Sequence, residues 1–194
     1  MVTMADVVTQ KQGQVLLELA RKTLETKLAK GSAPLPSPPD DPALSAKAAT
    51  FVTLKIAGKL RGCIGSLEPD SPLWEGIRDN AINAAFHDHR FSPLTPEELP
   101  AVHLDISILS RAQPLHYDEP EDLPAKLRPG VDGVILRDGQ WRATFLPQVW
   151  QQLPTAEQFL DHLCLKAGLA QGTWRRRKLE ILTYQVQCFE EDQK

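Results

Sequence analysis

The stretch "FVTLKIAGKLRGCIG", residues 51–65, decides how the rest of the chain is read. Apolar and polar side chains alternate through Phe51–Ile56, the period of a half-buried strand. "AGK" then supplies a tight turn and "LRGCIG" runs back, so the segment predicts an antiparallel hairpin. In the returning strand a strict period of two sets Leu60, Gly62 and Ile64 on one side and Arg61, Cys63 and Gly65 on the other. Glycine costs backbone entropy in a strand and offers nothing to pack. Gly62 and Gly65 around Cys63 therefore call for a bend in the backbone or for the close approach of another group.

Upstream, Leu17, Leu24 and Leu28, with Leu16, Leu19 and Ala20 alongside, form the apolar stripe of an amphipathic helix over residues 7–30, with Gly31 as its stop. Residues 32–43 carry five prolines and read as an extended connector. Asp41 followed by Pro42 predicts a capped short turn of helix through Lys47. Downstream, Ser71-Pro72 opens a helix with Trp74, Ile77, Ala81, Ala84 and Ala85 on one stripe, closing around "FHDHRF". "TPEE", residues 95–98, is a capping box before a very short helix. "AVHLDISIL" then alternates, with Val102, Leu104, Ile106 and Ile108 opposed to His103, Asp105 and Ser107.

Residues 111–129 read as a charged loop, and "GVDGVILRDGQWRATFLP" as a second hairpin turning at Asp138-Gly139. "TAEQ" caps a helix bearing Phe159, Leu160, Leu163, Cys164 and Ala167, ended by Gly168. "LEILTYQVQCF" predicts one C-terminal strand with Leu182, Tyr184, Val186 and Cys188 on a shared apolar face. Hairpins interspersed with helices, without a strict strand-helix-strand repeat, give an α+β fold with a mostly antiparallel sheet and flanking helices.

A chain of 194 residues can bury a real core, as one domain or one domain with a small appended lobe. Its net charge of −3 sets up no global field toward nucleic acid or an anionic membrane. The basic run Arg175–Lys178 is short, followed by Glu180, and reads as a solvated or helix-terminal cluster. The N-terminus has no signal-peptide pattern and no window is apolar enough to span a bilayer, so a cytoplasmic protein is expected. Cys63, Cys164 and Cys188 form no C-x-x-C pair and are expected as reduced thiols.

Cys63 is the leading chemical candidate. A neighbouring cation and exposed backbone N–H groups favour the thiolate, and Arg61 and the glycines could supply both. It could equally be a small side chain buried at a bulge. Cys164 and Cys188, on apolar faces, read as core. His87, Asp88, His89 and Arg90 offer a base, a carboxylate and an anion-binding guanidinium, or else a helix end whose cations complement the dipole. An H-x-H pair is a weak zinc signal, and no metal is expected. His103, Asp105 and Ser107 are too far apart along one strand for a triad, but Asp105 remains a candidate proton acceptor. With no phosphate loop and no dinucleotide fingerprint, no cofactor is expected.

"FVTLKIAGKLRGCIGSLEP", "PLWEGIRDNAINAAFHDHRFSPLTPEELP", "LDISILS", "PGVDGVIL", "ATFLPQVW" and "FLDHLCLKAGL" together resemble the AMMECR domain family, whose bacterial and archaeal members are called AmmeMemoRadiSam system protein A. The resemblance runs in order over residues 8–190, with L-R-G-C-I-G its most distinctive motif. It implies an α+β fold with a larger and a smaller subdomain. It also implies partners, a Memo-like protein and a radical S-adenosylmethionine protein, and places Leu60–Gly65 at a functional cleft. Many relatives have proline where this chain has His89, whereas Asp88, Arg90 and Phe91 fit the pattern.

Two functions follow as expectations. In one, a thiol-dependent enzyme or enzyme component uses Cys63 as nucleophile or redox thiol, with Arg61 and Arg90 holding an anionic group and His87 or Asp105 moving protons. In the other, a non-catalytic adaptor uses the glycine-rich strand, including Gly62 and Gly65, to dock a small molecule or one of those partners.

Overall fold

The computed structural model describes residues 8–29 and 33–192. In chain order the elements are α1 (Gln10–Leu28), β1 (Ala49–Ile56), β2 (Lys59–Gly65), α2 (Leu73–Phe86), β3 (Val102–Leu109), β4 (Gln113–Pro114), α3 (Leu123–Lys126), β5 (Gly133–Asp138), β6 (Trp141–Phe145), α4 (Ala156–Lys166), α5 (Thr173–Arg176), β7 (Glu180–Tyr184) and β8 (Val186–Glu190). The chain divides into two units, one comprising the described residues up to Leu109 and again from Gln187, the other Ser110–Val186. No helix among the described residues is long and apolar enough to cross a membrane.

The first unit carries a sheet of order β2-β1-β3-β8. β1 pairs antiparallel with both β2 and β3. Val52 and Leu54 of β1 and Leu104 and Ile106 of β3 are fully buried with Leu16, Leu24 and Ile77 of the helices, so α1 and α2 cover one face. α1 begins where Thr9 accepts the Gln12 backbone N–H and the Gln12 side chain accepts the Thr9 N–H, a complete capping box. It ends at Leu28, and Gly31, the expected stop, lies outside the described residues. Asp41 caps the 3-10 turn Pro42–Ser45 as its sequence predicts.

The second unit has a sheet of order β4-β7-β5-β6, antiparallel in its β4–β7, β7–β5 and β5–β6 ladders. Its core centres on Phe159, Leu160 and Leu163 of α4 with Val134 and Leu136 of β5. The Trp150 ring stacks on Phe159 at 3.9 Å. Cys164 is fully buried there, in agreement with its place on the helix stripe. The expected loop over residues 111–129 also contains the short β4 and α3.

Two readings of the sequence are corrected. "LEILTYQVQCF" forms two strands, broken at Gln185, one in each sheet. The break resets the alternation, so Phe189 is buried and Cys188 is exposed, the reverse of the expected core cysteine. The second correction lies in β2. Ile56 pairs with Lys59 and Lys55 with Leu60, but Leu54 pairs with Gly62, so Arg61 is the extra residue of a β-bulge. Leu60 therefore shares its face with Lys55, while Gly62 and Ile64 face the core opposite Leu54 and Val52.

Candidate functional site

The bulge determines which residues meet. The hairpin turns through Ala57 and Gly58, both at positive φ. Counted back from that turn without a bulge, Arg61 and Cys63 would stand opposite Leu54 and Val52, on the buried apolar face. The inserted residue moves Cys63 opposite Thr53, whose neighbour on β3 is Asp105. Cys63, Thr53 and Asp105 thus form a row across three strands on the polar face of the first unit's sheet. Gly65 stands opposite Phe51 on the same face.

Gly62 is forced by the helix behind it. A β-carbon there would lie 2.1 Å from the Ala84 carbonyl oxygen of α2. Close contact between helix and strand therefore accounts for this glycine, one of the two explanations its sequence position left open. Gly65 is equally confined, because a β-carbon would meet the Phe51 ring and the Thr50 carbonyl, each at 2.3 Å.

The segment after α2 reaches back to the cysteine. His87 caps the helix end, and the Asp88 side chain accepts the Arg90 backbone N–H two residues on, a local turn typical of aspartate. Asp88 is buried, with 2 % of its side chain exposed, and accepts the Cys63 backbone N–H at 2.9 Å. The Arg90 guanidinium grips both Asp88 oxygens, at 2.9 and 2.7 Å, and donates to the Cys63 carbonyl at 3.2 Å. Arg90, together with the Cys63 N–H, holds the Asp88 carboxyl well below its usual range despite burial. Both polar groups of the Cys63 peptide are thereby fixed on the outer edge of β2, the edge strand of its sheet.

The half-buried Cys63 Sγ accepts the Thr53 hydroxyl at 3.2 Å. Arg90 is also the cation held against the Cys63 main chain, within electrostatic reach of its side chain. Arg61, expected to share the cysteine's face, instead forms a two-pronged bond to Glu98, at 2.8 and 2.9 Å. Its expulsion from the strand register explains the difference, and the pairing holds Glu98 below its ordinary carboxylate range. Glu98 also accepts the Thr95 N–H, one half of the expected capping box.

His87 is exposed at the end of α2 and takes no part in the bonds around Cys63. Asp105 is buried and ion-paired with Lys55, and burial pushes its carboxyl above the ordinary value. Its strand lies two positions from that of Cys63, about 10 Å at the usual strand spacing, with Thr53 between them. The sequence reading missed the partners of Thr53, Lys55 and Glu98: Thr53 meets Cys63 through the bulged register, Lys55 meets Asp105 through the pairing of β1 with β3, and a loop brings Glu98 to Arg61.

The class so defined is an α+β protein of two units whose first sheet presents Cys63 with its peptide group clamped by an aspartate–arginine pair. The AMMECR1 family model matches residues 17–189. A protein of Methanothermobacter thermautotrophicus is 39 % identical over 95 % of this chain and 96 % of its own length. One from Thermofilum pendens is also 39 % identical, over 93 % of this chain and 90 % of its own. The crystal structure of the uncharacterised protein PH0010 from Pyrococcus horikoshii superposes with a TM-score of 0.83 at 33 % identity, covering 95 % of this chain and 94 % of that one. The chain belongs to the AMMECR1 family.

Proposed function

We infer that the protein is a thiol-dependent enzyme, or a component of one, with Cys63 as the reacting group. The observation that carries this reading is the two-sided hold on the Cys63 peptide by buried Asp88 and its ion-pair partner Arg90, with a hydroxyl donating to the sulfur. Burying a carboxylate is costly, and here one of its hydrogen bonds goes to the cysteine and the rest to the arginine that holds the cysteine's carbonyl. A fixed thiolate suits attack on an electrophilic carbon: an S–C bond forms, the bond to the leaving group breaks, and that group takes the proton the thiol gave up. Water or a second acceptor then cleaves the S–C bond and restores the thiol. The half-exposed Arg90 guanidinium would hold an anionic substrate group while keeping its bonds to Asp88. Asp105 would reach the thiol through Thr53, and His87 would exchange protons at the helix end.

The test is the rate of iodoacetamide labelling of each cysteine, read by peptide mass spectrometry across pH. Buried Cys164 serves as the protected control and exposed Cys188 as the ordinary thiol. Cys63 is expected to label faster than Cys188 at neutral pH. Labelling slower than Cys188 would remove the thiol chemistry.

A second reading, a docking module for a Memo-like or radical S-adenosylmethionine partner, is favoured by Leu60, which is 44 % exposed on the edge strand. Because the Cys63 N–H and C=O are already bonded, such a partner would engage side chains and would not add a strand there. Binding that survives Leu60→Asp would count against it.

A further inference from the structure

The same polar face holds a second cluster. His103 and Asp105 are alternate residues of β3, and Glu190 lies at the end of the neighbouring β8. One ligating atom from each, an imidazole nitrogen and two carboxylate oxygens, fall within 4.8 Å of one another. Asp105 is 9 % exposed, and its Oδ1 is buried without a hydrogen-bond partner, while Lys55 engages Oδ2. An unpaired buried carboxylate oxygen is costly. This one stands 3.6 Å from His103 Nε2, a separation at which one ion of ordinary Zn–N and Zn–O bond length can touch both atoms.

We propose that His103, Asp105 and Glu190 bind a divalent first-row transition-metal ion. Nitrogen with carboxylate oxygens suits an ion of intermediate softness such as Zn²⁺, for which Co²⁺ is a spectroscopic substitute. Three protein ligands leave at least one coordination position for water or substrate, the pattern of catalytic sites. Lys55 offsets part of the negative charge, so the affinity is moderate. The site does not depend on Cys63 reacting, and either reading can fail alone.

The experiment titrates the metal-free full chain with Zn²⁺ by calorimetry and with Co²⁺ by visible absorption. About one equivalent is expected to bind, without the near-ultraviolet band of a cobalt–thiolate bond. Glu190→Gln, an exposed change that leaves the core intact, and His103→Ala are each expected to weaken binding tenfold or more, roughly the loss that even outer-shell changes cause. Cys63→Ser and Cys188→Ser are expected to leave it unchanged. Absence of saturable binding overturns the site, as does binding that ignores Glu190→Gln and His103→Ala or that disappears with either cysteine.

Discussion

The Asp88 carboxylate accepts the backbone N–H of Cys63 at 2.9 Å, which ties the end of α2 to the edge strand of the first unit's sheet. The bond fixes a residue that the bulge has just moved onto the polar face, and Arg90 closes it from the other side.

Asp88→Asn keeps an acceptor for that N–H but loses the charge that holds Arg90. Its expected cost is about 1–3 kcal/mol at pH 7, measured by urea unfolding. The folded protein depresses the Asp88 pKa, so its contribution is present in full above the unfolded value of about 3.9 and fades as pH falls toward the folded value. The gap between wild type and variant should accordingly be constant from pH 7 to 5 and narrow below 4. An equal gap at pH 3 and pH 7 would show that the carboxylate charge contributes nothing.

Arg90 and Arg61 are predicted to differ in their effect on Cys63. Arg90→Gln removes both the hold on the peptide and the neighbouring positive charge, and is expected to slow iodoacetamide labelling of Cys63 several-fold. Arg61→Gln, whose parent is committed to Glu98, is expected to leave that rate near wild type while lowering stability. The reverse order would restore Arg61 as the thiol's partner.

Gly62→Ala should be among the most damaging single methyl additions in the chain. The new carbon meets helix backbone, which has no rotamer by which to yield. A loss at or above the upper end of the usual 1–3 kcal/mol for overpacking is expected in thermal or urea unfolding. A near-neutral result would mean that α2 can slide along β2.

Ala57 stands at φ 49°, the only non-glycine residue at positive φ among those described, and it precedes Gly58 in the hairpin turn. Asparagine adopts that region more readily and is favoured before glycine in such turns. Ala57→Asn is therefore expected to raise stability by roughly 0.5–1 kcal/mol, visible as a higher melting temperature. No change in Cys63 labelling is expected, since the turn lies beyond the bulge.

Much of this fold was legible because local signals agreed with the tertiary arrangement. The alternation of β3, the Asp41 cap and the first hairpin all follow from neighbours close in sequence. What escaped depends on a count. One unannounced residue in β2 separates Arg61 from the cysteine's face, and one break at Gln185 exchanges the places of Cys188 and Phe189. A period-two reading carries no marker for either event, because a slip of one residue leaves composition unaltered while reversing every side chain beyond it. The distant partners of Glu98 and Glu190 are invisible for a different reason: they are reached through loops and sheet order. Cys63, Asp88 and Arg90 could be named in advance, but the bond that joins them could not.

The return of β8 to the first sheet also governs the order in which the molecule can be completed. Phe189 fills the space over Gly13, where no β-carbon would fit, and Glu191 binds Arg21. Both sit at the far end of the chain from the helix they secure. A nascent chain emerging from the ribosome therefore holds an unfinished N-terminal core while the whole of Ser110–Val186 is made, a delay of several seconds at ordinary elongation rates. The second unit has all its strands in hand before the first does. During synthesis, the unit that bears Cys63 is the last to close.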